Sequence, residues 1–219
     1  SRRAADPSTG AAGLPLQQQA TEPVIGQRGR QRAILREGVY AINLALFVVL
    51  TEDRVFHLNL GGKTELQQLV GWQEELKSVN GFNPVVIGEE LSSVEPLNPA
   101  KIVTVDSIGI ITIHDGPSLA PGEIIAPSVG NDPEETHYHN NYQDAQAFID
   151  AGGRRGRQYV PLTDGTYFIN RWFATVELQP KTLIPIGYVG VVISYYGASG
   201  EDVTGSQFRY GEQVEAGRR

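Results

Sequence analysis

The sequence contains one short basic motif twice, Arg-Gly-Arg-Gln at residues 28–31 and again at residues 155–158. Guanidinium groups beside a flexible glycine can hold phosphate or carboxylate through charge-assisted hydrogen bonds. The alternative is a solvated turn whose arginines pair with acidic residues of a neighbouring module or subunit. We favour this turn, because the flanking residues lack the spacing of a phosphate-binding loop. The candidate contact or anion-binding residues are Arg28, Arg30, Gln31, Arg155, Arg157 and Gln158.

A pair of histidines, His137 and His139, lies in a polar stretch that extends over residues 131–141. On a strand the two imidazoles would share a face and could begin a metal site, with nearby acidic residues completing it. Two histidines without a third ligand at a fixed spacing are a weak pattern, so we expect both side chains to be exposed in a loop. A metal-dependent hydrolase that uses this pair remains an alternative function.

Other catalytic patterns are weak or missing from the sequence. His114 and Asp115 precede a glycine, which is more typical of a turn than of an acid–base pair. The chain has no cysteine, no nucleophile elbow and no glycine-rich phosphate loop. The sequence therefore predicts neither an enzyme nor a bound cofactor or metal.

Composition and charge narrow the classes of partner. Hydrophobic residues make up 40% of the chain and charged residues 20%, which is typical of a folded protein. The net charge of -7 opposes nucleic-acid binding, which requires a positive surface. The longest apolar run, residues 41–50, is about half of the roughly 20 residues that cross a bilayer.

The basic motif belongs to a longer internal repeat. Residues 26–43 and 153–170, the first and second copies, align without a gap at an offset of 127 (153 minus 26), and ten of the 18 aligned residues are identical. The shared positions are Gly26/Gly153, Arg28/Arg155, Gly29/Gly156, Arg30/Arg157, Gln31/Gln158, Leu35/Leu162, Gly38/Gly165, Tyr40/Tyr167, Ile42/Ile169 and Asn43/Asn170.

A second pair of segments accompanies the copies. Residues 181–197 resemble residues 101–116, with one residue inserted. Residues 214–219 also resemble residues 149–155, so we expect a third copy to begin where this sequence stops. The boundaries of the chain would then cut through an array of repeats.

Local patterns predict mostly strands. An acidic residue before glycine, in residues 35–38 and 162–165, indicates a tight hairpin in each copy. Alternating apolar residues at 40, 42, 44 and 46 predict a strand after the first hairpin. Runs of β-branched residues predict further strands joined by short turns at residues 102–105, 108–113, 183–186 and 189–195. We expect residues 184–196 to form an inner strand rather than an exposed edge.

Two helices are expected among these strands. Thr64 begins a capping box, and Asn80-Gly81 should end a helix over residues 64–79. Asn141 should cap a second helix over residues 141–151, which Gly152-Gly153 should terminate.

The fold class that follows is α+β, with β-rich tandem modules of mainly antiparallel strands and two helices. We assign residues 1–23 to a disordered tail, 24–100 to a first module with a helical insertion, and 101–180 to a second module. Residues 181–219 would be a truncated third module. Because a lone module has little core, we expect each module to cover its neighbour's open face and the chain to hold more than one core.

Three segments resemble bacterial flotillin-like proteins of the SPFH (stomatin, prohibitin, flotillin, band 7) family. They are AGGRRGRQ at residues 151–158, GTYFINRWF at residues 165–173 and IPIGYVGVVIS at residues 184–194. The resemblance extends over about residues 25–219 and is weakest over residues 51–99.

The resemblance implies a non-catalytic scaffold that oligomerises and organises membrane patches and client proteins. Its partners would be further copies of itself, unidentified clients and a bacterial cell membrane reached through an anchor outside these residues. No catalytic residues are implied. A binding module for a small anion or acidic ligand, using Arg155 and Arg157, is the other alternative to this function.

Overall fold

The computed structural model describes residues 28–58, 62–88, 90–95 and 98–195. The predicted tail and the expected third copy lie outside these residues. The helices are α1 (Lys63–Ser78) and α2 (Ala145–Asp150). The strands are β1 (Val49–Leu50), β2 (Val55–Phe56), β3 (Val85–Ile87), β4 (Glu90–Glu95), β5 (Asn98–Ile113), β6 (Gly156–Arg157), β7 (Gly165–Tyr167) and β8 (Ala174–Pro180). The strand pairs within these described residues are antiparallel, so the fold is β-rich α+β.

Strand β5 lies at the centre of the main sheet. Its first half pairs with β4, its second half pairs with β8, and its last two residues also pair with β6. Because β6 and β8 meet the same two residues, they lie on opposite edges of β5. Thr104, Val105 and the isoleucines at 108, 110 and 111 favour a long strand, since branched side chains pack well on a pleated surface.

One hydrophobic core unites distant parts of the chain. Ile111 and Ile113 of β5 are almost completely buried and pack with Phe148 of α2, while β3 adds Val85 and Ile87. The remaining core residues are Tyr142, Ala145, Leu162, Tyr167, Ile169, Phe173 and Ala174. The predicted boundary at 100/101 falls inside β5, and residues on both sides of it share this core. The described residues thus contain one core, where the sequence predicted more than one.

The two predicted helices are confirmed, but their N-terminal caps are not. Helix α1 begins after Gly62 and has no side-chain cap, so Thr64 lies inside the helix. Its end is as predicted, because Asn80 has a positive φ of 53° and Gly81 donates its N–H to the Leu76 carbonyl at 2.7 Å. Helix α2 is shorter than predicted, and Asp144 caps it by accepting the Ala147 N–H at 2.9 Å.

Several predicted strands are wrong. In the first copy, Asn43 begins a turn, and its carbonyl accepts the Leu46 N–H at 3.0 Å where a strand was expected. In the second copy no local hairpin forms, because β7 pairs with the distant β3. Residues 102–113 form one uninterrupted strand without the predicted turn. Residues 184–195 form no strand and are mostly exposed.

No helix within the described part of the chain combines the length and the apolar character needed to cross a bilayer.

Gly109 of β5 offers a test of this packing. A Cβ at residue 109 would lie 2.8 Å from Ile87 Cδ1 and 2.9 Å from Val176 Cγ1. We expect Gly109→Val to lower the free energy of unfolding by about 1–3 kcal/mol through overpacking. Gly71→Ala, in α1 with open space around the glycine, should instead raise it by up to about 1 kcal/mol. Urea denaturation checks both, and equal effects would contradict the packing described.

Candidate functional site

The second basic motif does not form a shared anion site. Arg155 donates to Ser118 Oγ, while Arg157 pairs with Glu177 Oε2 at 3.0 Å. Gln158 is buried, and its amide donates to the backbone carbonyls of Arg154 and Gly156, each at 2.8 Å. The three residues therefore have separate partners within the fold.

Arg155 lines an open depression of about 520 Å³ between β5 and the loop that follows it. Glu123 and His114 also line it, but Glu123 is already paired with Arg154 at 3.1 Å. Arg157 does not line the depression. A ligand there would meet one arginine beside a carboxylate, which is a poor arrangement for an anion.

Arg30 of the first basic motif lies against two tryptophans. Its guanidinium carbon is 4.8 Å from the ring centre of Trp72 and 4.5 Å from that of Trp172. The two rings meet edge to face, with centres 6.1 Å apart. The contact joins α1, the first copy and the residues after the second copy through cation–π attraction.

Arg32 and the backbone beside it attach the same segment to residues in the second half of the chain. Arg32 Nε donates to Asp115 Oδ2 at 2.7 Å, and its Nη1 donates to Gln146 at 2.9 Å. This bond from Arg32 lowers the pKa of Asp115 below its ordinary value. The Asn170 amide donates to the carbonyls of Gln31 and Arg32, both at 3.1 Å.

A third arginine, Arg36, lies 3.9 Å from the ring centre of Phe168. Residues 30–36, which we call the strap, thus carry arginines at 30, 32 and 36 that each contact a different part of the fold. The strap itself is largely exposed and has no regular secondary structure. Charge, cation–π and hydrogen-bond contacts, rather than buried apolar area, hold it in place.

The two copies have the same local structure despite their different surroundings. Gly29 and Gly156 have φ values of 141° and 117°, and Gly38 and Gly165 have φ values of 157° and 152°, all favouring glycine. The equivalent hydrogen bonds, each at the offset of 127, are Gln31 to Gly29 (3.0 Å) and Gln158 to Gly156 (2.8 Å), Tyr40 to Arg36 and Tyr167 to Thr163 (both 3.0 Å), and Ala45 to Asn43 (3.0 Å) and Trp172 to Asn170 (2.9 Å).

The correspondence continues past residue 43. Asn43 and Asn170 each begin a turn in which the carbonyl accepts the N–H groups three and four residues later, at 2.9–3.1 Å. At the same offset, Val49 of β1 corresponds to Val176 of β8. The repeat is therefore a structural unit as well as a sequence pattern.

The two copies differ in what covers them. In the second copy Leu162 and Phe173 are 1% and 2% exposed, because β5 and α2 pack over them. The equivalent residues of the first copy, Leu35 and Leu46, are 49% and 74% exposed. The first copy has the local structure of the second without its core.

A further apolar surface follows β8. We call residues 183–193 the apolar arm, and in it Ile186, Val189, Val191 and Val192 are 102%, 90%, 88% and 92% exposed. The expectation that this segment is an inner strand is wrong for the isolated chain. An apolar run of this length and exposure is typical of an interaction surface.

The two histidines have opposite environments. His137 is exposed as predicted, but His139 is completely buried, so that half of the prediction is wrong. His139 Nδ1 lies 2.8 Å from the Tyr142 backbone nitrogen, and Nε2 lies 2.9 Å from the Val129 carbonyl oxygen. Since a backbone N–H only donates, Nδ1 must accept and Nε2 must carry the proton.

His139 also holds an unusual backbone segment. The three residues after it, Asn140, Asn141 and Tyr142, have positive φ values of 46°, 54° and 64°. Each non-glycine residue in this region costs about 1–2 kcal/mol. The bond from the Tyr142 N–H to His139, and the stacking of the two rings at 4.5 Å, stabilise the segment. The role of His139 is therefore structural.

The described residues contain no group of three or more His, Asp or Glu side chains placed to hold a metal ion. The sequence analysis missed the contact between Trp72 and Trp172, and it assigned Asp115 to a turn without its ion pair to Arg32. The signal available was that Trp72 and Trp172 are the only tryptophans in the chain, although their spacing of 100 positions (172 minus 72) does not reveal a contact.

No protein-family model, curated protein or solved structure matches the chain.

The contribution of the strap is testable through Arg30. We expect Arg30→Ala to lower the free energy of unfolding by about 1–2 kcal/mol, because two partly exposed cation–π contacts of about 0.5–1 kcal/mol each are lost. Tryptophan emission should also change, since both tryptophans lie at the contact. Arg28→Ala, at an exposed position of the same motif, is the control. An equal loss in both variants would show that Arg30 does not anchor the strap.

His139 makes stability dependent on pH. Burial lowers the pKa of folded His139 below its ordinary value of 6.5, although Asp144 and Glu135 nearby act in the opposite direction. Below pH 6.5 the unfolded chain therefore binds a proton that the folded chain excludes. We expect stability to be constant well above pH 6.5 and to fall as the pH decreases through 6.5 towards the folded pKa.

Urea midpoints measured from pH 8 to pH 5 check this dependence. His137→Gln, which removes the exposed imidazole, should keep the fall in stability. His139→Gln should be less stable at pH 8 and show a smaller fall. A pH dependence that disappears with His137 instead would contradict this assignment.

Proposed function

We propose that this protein is a non-catalytic, membrane-associated scaffold of the SPFH type that self-associates and organises membrane patches and client proteins. The observation that carries the proposal is the pair of uncovered surfaces within one repeat architecture. The first copy exposes the positions that the second copy buries, and the apolar arm exposes a run of branched side chains. Exposed apolar surface of this kind is stabilised by association.

The arrangement of the charged groups supports the same proposal. Arginines of both basic motifs make their contacts within the fold. Arg30 contacts the tryptophans, and Arg157 pairs with Glu177. The buried His139 serves the backbone rather than a substrate. Association with further copies and with clients accounts for more of the exposed surface than ligand binding in the shallow depression beside Arg155.

The membrane part of the proposal comes from the sequence resemblance to flotillin-like proteins. An anchor outside the described residues would bring the chain to a bacterial cell membrane. Repeated modules along the chain would then give neighbouring molecules several contacts, and linked weak contacts produce a strong assembly.

The size of the protein as extracted from bacterial membranes tests the proposal. We expect the protein to fractionate with membranes and, in mild detergent, to form a homo-oligomer of many copies by light scattering and electron microscopy. A strictly monomeric particle would contradict the scaffold, and a protein found only in the soluble fraction would contradict the membrane assignment.

A further inference from the structure

The packing of the second half of the chain shows how the first copy and the apolar arm could fit together. Within that half, β5 pairs with β8 and its isoleucines cover the second copy. The first copy is equivalent to the second, and the arm belongs to the segment that resembles β5. The first copy and the arm therefore each expose a surface that is buried in the equivalent segment, the second copy or β5.

Among the described residues β1 pairs with β2 alone, and its other edge is the one that β8 presents to β5. Backbone hydrogen bonds join β5 to Phe173 and Lys181, at the two ends of β8. The odd-numbered residues between them, among them Thr175 and Glu177, therefore point their N–H and C=O groups at β5. Their equivalents at the offset of 127 are Val48 and Leu50.

Strand β1 uses its other edge for β2. The Thr51 N–H donates to the Arg54 carbonyl at 2.9 Å, and successive residues turn their peptide groups to alternate edges. The N–H and C=O groups of Val48 and Leu50 therefore point away from β2. No strand of the described residues pairs with this edge, which is the one that would accept a β5-like strand.

We infer that the apolar arm of one molecule adds as an antiparallel strand to β1 of a second molecule, in the position that β5 takes beside β8. This inference rests on the proposed self-association and supplies its contact. An extended segment that completes a neighbour's sheet gains backbone hydrogen bonds along its length and buries alternate side chains.

The register follows from the two alignments. Ile111 lies opposite Val176 in the structure, and the equivalent pair is Val192 of the arm and Val49 of β1. Ile111 is completely buried, whereas Val192 is 92% exposed in the single molecule. The docked arm would bury Val192 against the first copy.

A glycine supports this register. Gly109 is held where a Cβ would lie 2.9 Å from Val176 and 3.2 Å from Leu162. The aligned residue of the arm is Gly190, and the equivalents of Val176 and Leu162 in the first copy are Val49 and Leu35. The arm therefore has glycine at the position where the first copy would crowd any side chain.

The contact joins different surfaces of the two molecules, so it is heterologous. A heterologous contact leaves one free arm and one free first copy at the ends of any open chain of molecules. Repetition then closes into a ring or extends as a filament.

Cross-linking tests the register directly, because the natural chain contains no cysteine. Val49→Cys and Val192→Cys proteins of different tagged lengths are purified separately, mixed and oxidised. We expect a disulfide between the two different proteins, since opposed residues that do not share hydrogen bonds lie about 4.5 Å apart between Cα atoms. Ile186→Cys replaces Val192→Cys in the control, because residue 186 would lie six residues, or roughly 20 Å, further along the strand.

The outcomes separate this inference from the proposed function. A mixed disulfide with Val192→Cys that is lost with Ile186→Cys supports the inference. Oligomers without that disulfide would leave the scaffold in place and overturn the arm contact. Monomers throughout would overturn both. A disulfide within one molecule of the double variant, Val49→Cys with Val192→Cys, would show that the arm folds back and would also overturn the inference.

Charge substitution gives a second measurement that needs no cysteine. Val192→Asp should abolish assembly, measured by light scattering, while the urea midpoint of the monomer stays the same because residue 192 is exposed. Ile186→Asp is the matched control, since the aligned residue of β5 is the exposed Asp106. Equal assembly of the two variants would contradict the register.

Discussion

The fold depends on how β5 is covered on one face and paired with other strands along its length. Its buried face includes Ile111 and Ile113, and its edges receive β4, β6 and β8. Those strands come from segments on both sides of β5 in the sequence. The second copy therefore owes its order to a partner that precedes it by about 40 residues (153 minus 113).

The comparison between the copies separates local from tertiary determinants of structure. The glycine conformations, the tyrosine and asparagine hydrogen bonds and the turn after Asn43 or Asn170 are present in both copies. They follow from short-range interactions, which need no core. The longer sheet appears only in the second copy, because it needs β5. The first copy therefore has the local structure of the repeat without the longer sheet.

The sequence predicted these local features better than the sheet. The Asn80-Gly81 and Gly152-Gly153 signals located the ends of both helices, because the positive φ of Asn80 and Gly152 is a property of the residue and its neighbours. The prediction of an inner strand at residues 184–196 was wrong, because a strand requires a partner strand and a local sequence pattern does not identify that partner. The burial of His139 was missed because no short-range pattern indicates its bond to the Val129 carbonyl, ten residues earlier in the chain. Trp72 and Trp172 meet only through the tertiary fold.

The strap has a consequence for how the chain folds during synthesis. Its anchor Asn170 lies 139 residues after Gln31. At a synthesis rate of about 5–20 residues per second, the strap waits roughly 7–28 s for that anchor to be made. During this interval the backbone carbonyls of Gln31 and Arg32 lack the amide donor that Asn170 supplies. A segment held mainly by charge and ring contacts is less prone to aggregate during that delay, because it exposes less apolar surface to other nascent chains than an apolar segment would.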